Sequence, residues 1–141
     1  SAKASTIVSQ MQQIVGGINA LAYRRGVTLP SNIGLEFTQR LVDQKALKSV
    51  PVGPNGLLYY PGDVDGGGSS DPIGVVYAVV GLVDDPKARD ICHEIELLAG
   101  NTNTRSNFTP TYLFVKKAQN PTMGCYSNLS GANAYLAYMS V

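Results

Sequence analysis

The chain is poor in charge. Asp, Glu, Lys and Arg make up only 15% of its 141 residues, against the usual quarter, and 11 basic residues nearly cancel 10 acidic ones to leave a formal charge of +1. No run of like charges occurs, so neither a nucleic-acid footprint nor a polybasic membrane patch is expected. Histidine occurs once, as His93 beside Cys92. That segment reads as a helix, on which adjacent side chains point to different faces, so the two cannot serve as base and nucleophile. One histidine also gives no convincing metal cluster. A Gly-x-Ser-x-Gly elbow is missing, and Gly66, Gly67 and Gly68 lack the Lys-Ser/Thr and the helix of a phosphate cradle. These absences argue against an enzyme, and no cofactor is expected. No signal peptide and no run of about eighteen apolar residues is present, so the chain as it stands reads as soluble.

Cysteine is scarce as well. Cys92 and Cys125 fit a single disulfide, which would close the segment 92–125 and stabilise the fold by roughly 3–4 kcal/mol in the chain-entropy picture. The other reading is two unpaired buried thiols. The length suits one domain, 1–141, with one core.

What the chain does have begins with periodicity. Ile7, Met11, Ile14, Ile18 and Leu21 step by four, three, four and three, an apolar stripe down about four turns of a helix expected over about residues 5–25. Ser9, Gln10, Gln12, Gln13 and Asn19 between them are polar and uncharged, a surface suited to packing on a domain and against neighbouring copies. An ordinary amphipathic surface helix carries the same stripe. The helix should stop at Arg24-Arg25-Gly26, where two cations suit the C-terminal dipole and Gly26 can take the left-handed cap.

The head, residues 26–141, reads as alternating short elements. A second helix is expected from a cap at Ser31 or Asn32, with Ile33, Phe37, Leu41 and Leu47 as its apolar face, ending at Val50-Pro51. Leu57–Tyr60 reads as a short strand and Ile73–Val83 as the central one. Asp84 or Asp85 caps a third helix with Pro86 in its first turn, Ala88, Ile91, Cys92, Ile95 and Leu98 buried, and Gly100 as the stop. A strand at Tyr112–Ala118, a turn region around Pro121 and Gly124 carrying Cys125, and a strand from Ala134 to Val141 complete an α+β fold with a mainly antiparallel sheet. Asp63, Asp65 and Asp71 could supply hard oxygens to calcium, but the ligand spacing of a twelve-residue calcium loop is missing, so a solvated loop is the simpler reading. The sequons at Asn107 and Asn128 count only in a eukaryotic secretory pathway.

A long amphipathic helix, then "LVDQKALKSVP" before the sheet, then a cysteine inside "DPKARDICHEIELL" and a second in "GCYSNLSGANAYLAYMSV" near the last strand: this order resembles a type IV pilin, and most closely the type IVb subclass. The resemblance covers most of the chain and rests on order and spacing. Such pilins begin with a very hydrophobic segment bearing an early acidic residue, which this chain lacks, so the resemblance implies a soluble portion of a longer subunit. It further implies a helical spine packed on an antiparallel sheet, pairing of Cys92 with Cys125, and an exposed edge between those cysteines, with Asn101–Thr109 as candidate surface. Its partners would be other subunits of a homopolymeric extracellular filament and a host-cell receptor, with membrane contact only through the missing segment before assembly. A pseudopilin of a type II secretion system and an unrelated secreted binding module or adhesin are the alternatives. On the pilin reading, contact between the first helix and the head should grow toward Ile18 and Leu21, leaving Ile7 lightly held.

Overall fold

A computed structural model describes residues 2–63, 70–101, 108, 110–129 and 133–141. The first helix, α1, runs over Ala2–Arg25. It stops where Gly26 takes a φ of 65° and the Val27 amide donates to the Leu21 carbonyl at 3.4 Å, the left-handed cap written into Arg24-Arg25-Gly26. No helix among the described residues is long and apolar enough to cross a membrane.

The second helix differs from its expectation at both ends. Ser31 opens only a 3-10 turn, Ser31–Ile33, after which Gly34 turns to a φ of 71° and α2 starts afresh over Glu36–Asp43 without a side-chain cap. Its stop comes well before Val50-Pro51, because Lys45 adopts a φ of 61°. The Lys45 and Ala46 amides then donate back to the Val42 and Leu41 carbonyls at 2.9 and 2.8 Å, a Schellman closure. Phe37 and Leu41 are fully buried, while Leu47 reaches the core from beyond the helix.

Four strands follow: β1 (Tyr59–Gly62), β2 (Val75–Leu82), β3 (Met123–Ser127) and β4 (Ala134–Ser140). They line up as β1-β2-β4-β3 with every pairing antiparallel. The apolar run around Val75–Leu82 is interior to the sheet, as its composition predicts. Pro61, which has no N–H to give a ladder, is confined to the edge strand β1. Between β2 and β3 lie α3 (Pro86–Leu98) and α4 (Leu113–Gln119). Asp85 caps α3 by accepting the Lys87 amide at 2.9 Å. The buried face of α3 is Ala88, Cys92, Ile95 and Glu96; Leu98 is on the other side and is 55% exposed, against expectation.

Two expectations are overturned outright. The stretch 112–118 expected to be a strand is almost wholly in α4, Leu113–Gln119, and the stretch expected to be a turn around Cys125 is β3. Tyr-Leu-Phe-Val favours a strand on local propensity, but Leu113 and Lys116, three apart, share the side that faces the protein, and tertiary contact decides. Gly124 marks no turn: it lies beneath the Tyr138 ring and the Lys116 stem, where a Cβ would stand 3.0 Å from the first and 3.1 Å from the second.

The sheet has two different faces. Val76, Ala78, Cys125, Ala137 and Met139 look toward α1 and α3 and build the main core with Met11, Ile14, Phe37 and Leu41. Val75, Tyr126, Leu136 and Tyr138 look the other way, with Tyr77 and Leu113 packed against them.

Candidate functional site

The stripe of α1 faces inward along its whole length. Ile7, Met11, Ile14, Ile18 and Leu21 are all buried, and Ala4 and Ile7 are held as deeply as Leu21. Contact therefore does not grow toward the C-terminal end. The reason is that Leu57, Val80 and Ile91 stand beside Ile7, so the head reaches the first turns of the helix too. Gln10, expected on the surface, is half-buried: it accepts the Tyr59 hydroxyl at 2.6 Å and donates to the Val52 carbonyl at 3.1 Å. The outward face keeps Ser5, Ser9, Gln12, Gln13, Gly16 and Asn19 exposed, and no charged residue falls between Lys3 and Arg24.

Cys92 and Cys125 are joined, with Cα atoms 5.3 Å apart, and the bond fastens α3 to β3. The Cys92 sulfur is thereby no nucleophile. His93 next to it holds its Nδ1 buried with no hydrogen-bond partner among the described residues.

Behind the disulfide lies a polar knot that the sequence did not announce. Glu96 of α3, with no exposure to water, pairs with Lys116 of α4, itself 4% exposed. Asn101 donates to the second Glu96 oxygen and to the Met123 carbonyl, and Asn120 donates to the Asn101 side-chain carbonyl at 3.0 Å. Tyr138 donates to the Asn120 carbonyl at 2.5 Å. Its phenol is pushed well above the ordinary value, first by burial and then by the negative charge of Glu96. Asn101 is thus tied inward, although it was expected to begin an exposed surface. Residues 102–107 and 109 of that expected surface, including the Asn107 sequon, lie outside the described residues, as does Ser130 of the Asn128 sequon.

On the sheet face turned away from α1 is an open groove of about 500 Å³. One wall is Tyr60 and Tyr77, cross-strand partners on β1 and β2 whose rings stack at 5.4 Å. Another is Tyr112 and Phe114, at the entry to α4, stacked at 5.8 Å. Tyr126 and Leu136 lie between them, and Asp63 and Asn128 also line the space. Burial pushes the Tyr126 phenol well above its usual value, with a further contribution from Tyr77, and its hydroxyl is buried without a hydrogen-bond partner among the described residues. Sequence reasoning missed this groove. The available signal was the number of tyrosines, eight in all, six of them on the four strands. Of the carboxylates considered for calcium, Asp63 is buried in the groove, Asp71 is exposed and Asp65 lies outside the described residues. Among the described residues no group of three His, Cys, Asp or Glu is placed to hold a metal ion.

The class so defined is an α+β head built on a 24-residue N-terminal helix, with a four-stranded antiparallel sheet and a disulfide between helix and sheet. No family model, no curated protein and no solved structure matches the chain.

Proposed function

We propose that the chain is the head and lower helix of a type IVb pilin-like subunit, which polymerises with copies of itself into an extracellular filament and presents its outer face for adhesion or self-association. The observation that carries this reading is the outward side of α1. A helix that merely caps its own sheet shows water a face of polar and, as a rule, some charged residues. Here the exposed side is polar but uncharged from Ser5 to Asn19, while the inward side is already buried against the head. Covering such a face with a neighbour takes no ionic group out of water, so it costs far less than burying a charged face, provided that the glutamine, serine and asparagine side chains find hydrogen bonds across the contact. The α+β architecture and the disulfide linking α3 to β3 add support.

Gly16 gives the test. It is exposed, and a Cβ built there meets nothing within 4 Å. Gly16→Arg should leave the melting temperature of the isolated chain unchanged or higher, since arginine is the better helix former. In the full subunit, expressed in its own assembly-competent cell, the same change should abolish incorporation into filaments. Normal filaments from the variant would remove the proposal's support.

A further inference from the structure

We propose that Lys116 and Asn101 become joined by an amide bond that the chain forms by itself, with Glu96 moving the protons. The step involves no neighbouring subunit, so the chain alone suffices to test it.

Position comes first. Asn101 follows the stop of α3, where Gly100 takes a φ of 77° and the Asn101 backbone amide donates to the Glu96 carbonyl at 2.9 Å. That closure sets Asn101 beside Glu96 of the same helix. Lys116 arrives from α4, its stem passing over Gly124, where a Cβ would stand 3.1 Å from it. The two side chains meet at one carboxylate: Lys116 Nζ donates to Glu96 Oε1, and Asn101 Nδ2 donates to Oε2. An amine and an amide held on the two oxygens of one carboxylate are already neighbours, so folding has met the entropy of bringing them together.

Orientation comes next. Asn101 Nδ2 has a second acceptor, the Met123 carbonyl at 3.1 Å, while Oδ1 accepts from Asn120 Nδ2 at 3.0 Å. Partners at both ends of the amide decide which end is nitrogen. The nitrogen, which must leave, therefore faces Glu96, and the oxygen, which must gather charge, faces a donor. Asn120 is fixed in turn, because its backbone amide donates to the Lys116 carbonyl at 2.8 Å and its own carbonyl accepts the Tyr138 hydroxyl.

Burial favours the chemistry. Glu96 has no exposure to water and the Lys116 side chain only 5%. Passing one proton from Nζ to Glu96 replaces two buried ions by an amine and a neutral acid, and the amine is the form that attacks. The Nζ lone pair adds to Asn101 Cγ, and the C=O π pair moves onto Oδ1, where Asn120 donates. Glu96 gives its proton to Nδ2 and takes one from Nζ. The Cγ–Nδ2 bond breaks, the carbonyl re-forms, and the nitrogen leaves as ammonia past the half-buried Asn101. One secondary amide and one ammonia replace one amine and one primary amide, with nothing oxidised or reduced. The bond closes residues 101–116 into a ring inside the segment that the Cys92–Cys125 disulfide already closes, and unlike the disulfide it survives reduction.

Intact-mass spectrometry of the reduced, denatured chain tests this. The mass should lie below that of the sequence by one ammonia in nearly all molecules. Trypsin should yield residues 90–105 joined to residues 106–117, because a linked Lys116 is no longer cut, and fragmentation should place the link on Asn101. Lys116→Arg and Glu96→Gln should each show the full mass of their own sequence, with the far-ultraviolet dichroism of the parent. Asn101→Asp should keep the link and lose one water in place of ammonia. A parent chain at full sequence mass would overturn the inference. So would loss of ammonia without the branched peptide, which marks a succinimide, loss of water from the parent, which marks a Lys116–Glu96 link, or a link that still forms in Glu96→Gln.

Discussion

Glu96 is held with no exposure to water, and what keeps it there is Lys116. A buried pair of this kind adds little net stability compared with apolar residues of the same shape, but removing one partner strands the other. Lys116→Met should therefore cost about 3–5 kcal/mol in urea unfolding, and adding Glu96→Leu should recover most of the loss that does not come from a Lys116–Asn101 link. A single variant that melts like the parent would show that Glu96 finds another counter-charge. Gly124 belongs to the same device. A Cβ there would come within 2.8 Å of the Tyr138 hydroxyl and 3.1 Å of the Lys116 stem, so Gly124→Ala should destabilise by about 1–3 kcal/mol through crowding. None of this was legible in the sequence. Lys116 and Glu96 are twenty residues apart on two helices, and only the packing of both α3 and α4 against β3 brings them together. A charged residue in an otherwise apolar pattern looks the same whether it faces water or a hidden partner.

On α1 two adjacent glycines have opposite roles. Gly16 faces open space, whereas a Cβ on Gly17 would stand 3.1 Å from the Ala46 carbonyl and 3.4 Å from the Leu47 side chain. Gly16→Ala should stabilise the fold by about 1 kcal/mol, the difference in helix propensity, and Gly17→Ala should lose that gain to the close approach of the 46–47 segment. Equal shifts in melting temperature would mean that the two elements do not touch as described. The stripe itself makes a second prediction, contrary to the one drawn from the sequence: Ile7→Ala and Leu21→Ala should both cost about 2–5 kcal/mol, because both are buried to the same degree. The period that identified α1 and α3 was readable because each presents a continuous apolar face. It could show which side is buried but not how far along the helix the head extends. The segments that misled, 112–118 and 123–127, are short, and in short segments the competing signals are decided by partners elsewhere: the Glu96 carboxylate for α4, the β4 ladder for β3. Lys45 is a similar case, a non-glycine residue in the left-handed position of a helix stop that no sequence pattern marks.

At the scale of the whole molecule, the sheet divides the protein into a helical side and a tyrosine side, and buried phenols occur on both. Tyr59 contacts Gln10 of α1, and Tyr126 and Tyr138 lie opposite. All three have phenols raised well above the ordinary value, with burial as the largest cause. In the unfolded chain they would ionise near the usual value of about 10. Above that pH the folded state retains protons the unfolded state has released, so stability falls as pH rises. The contribution is fully present below about pH 10 and is lost as pH climbs through the raised values of the folded state. The disulfide spans 33 positions, and its loss should lower stability by about 3–4 kcal/mol. The two effects act on the same equilibrium. The oxidised protein should therefore unfold cooperatively in alkali, with the phenolate absorbance of the buried tyrosines rising together with loss of far-ultraviolet dichroism. The Cys92→Ala, Cys125→Ala double variant should do the same at a lower pH. If the tyrosines ionised gradually near pH 10 with the dichroism unchanged, water would reach both faces of the sheet in the native state, and the packing of α1 and α4 against it could not be as described.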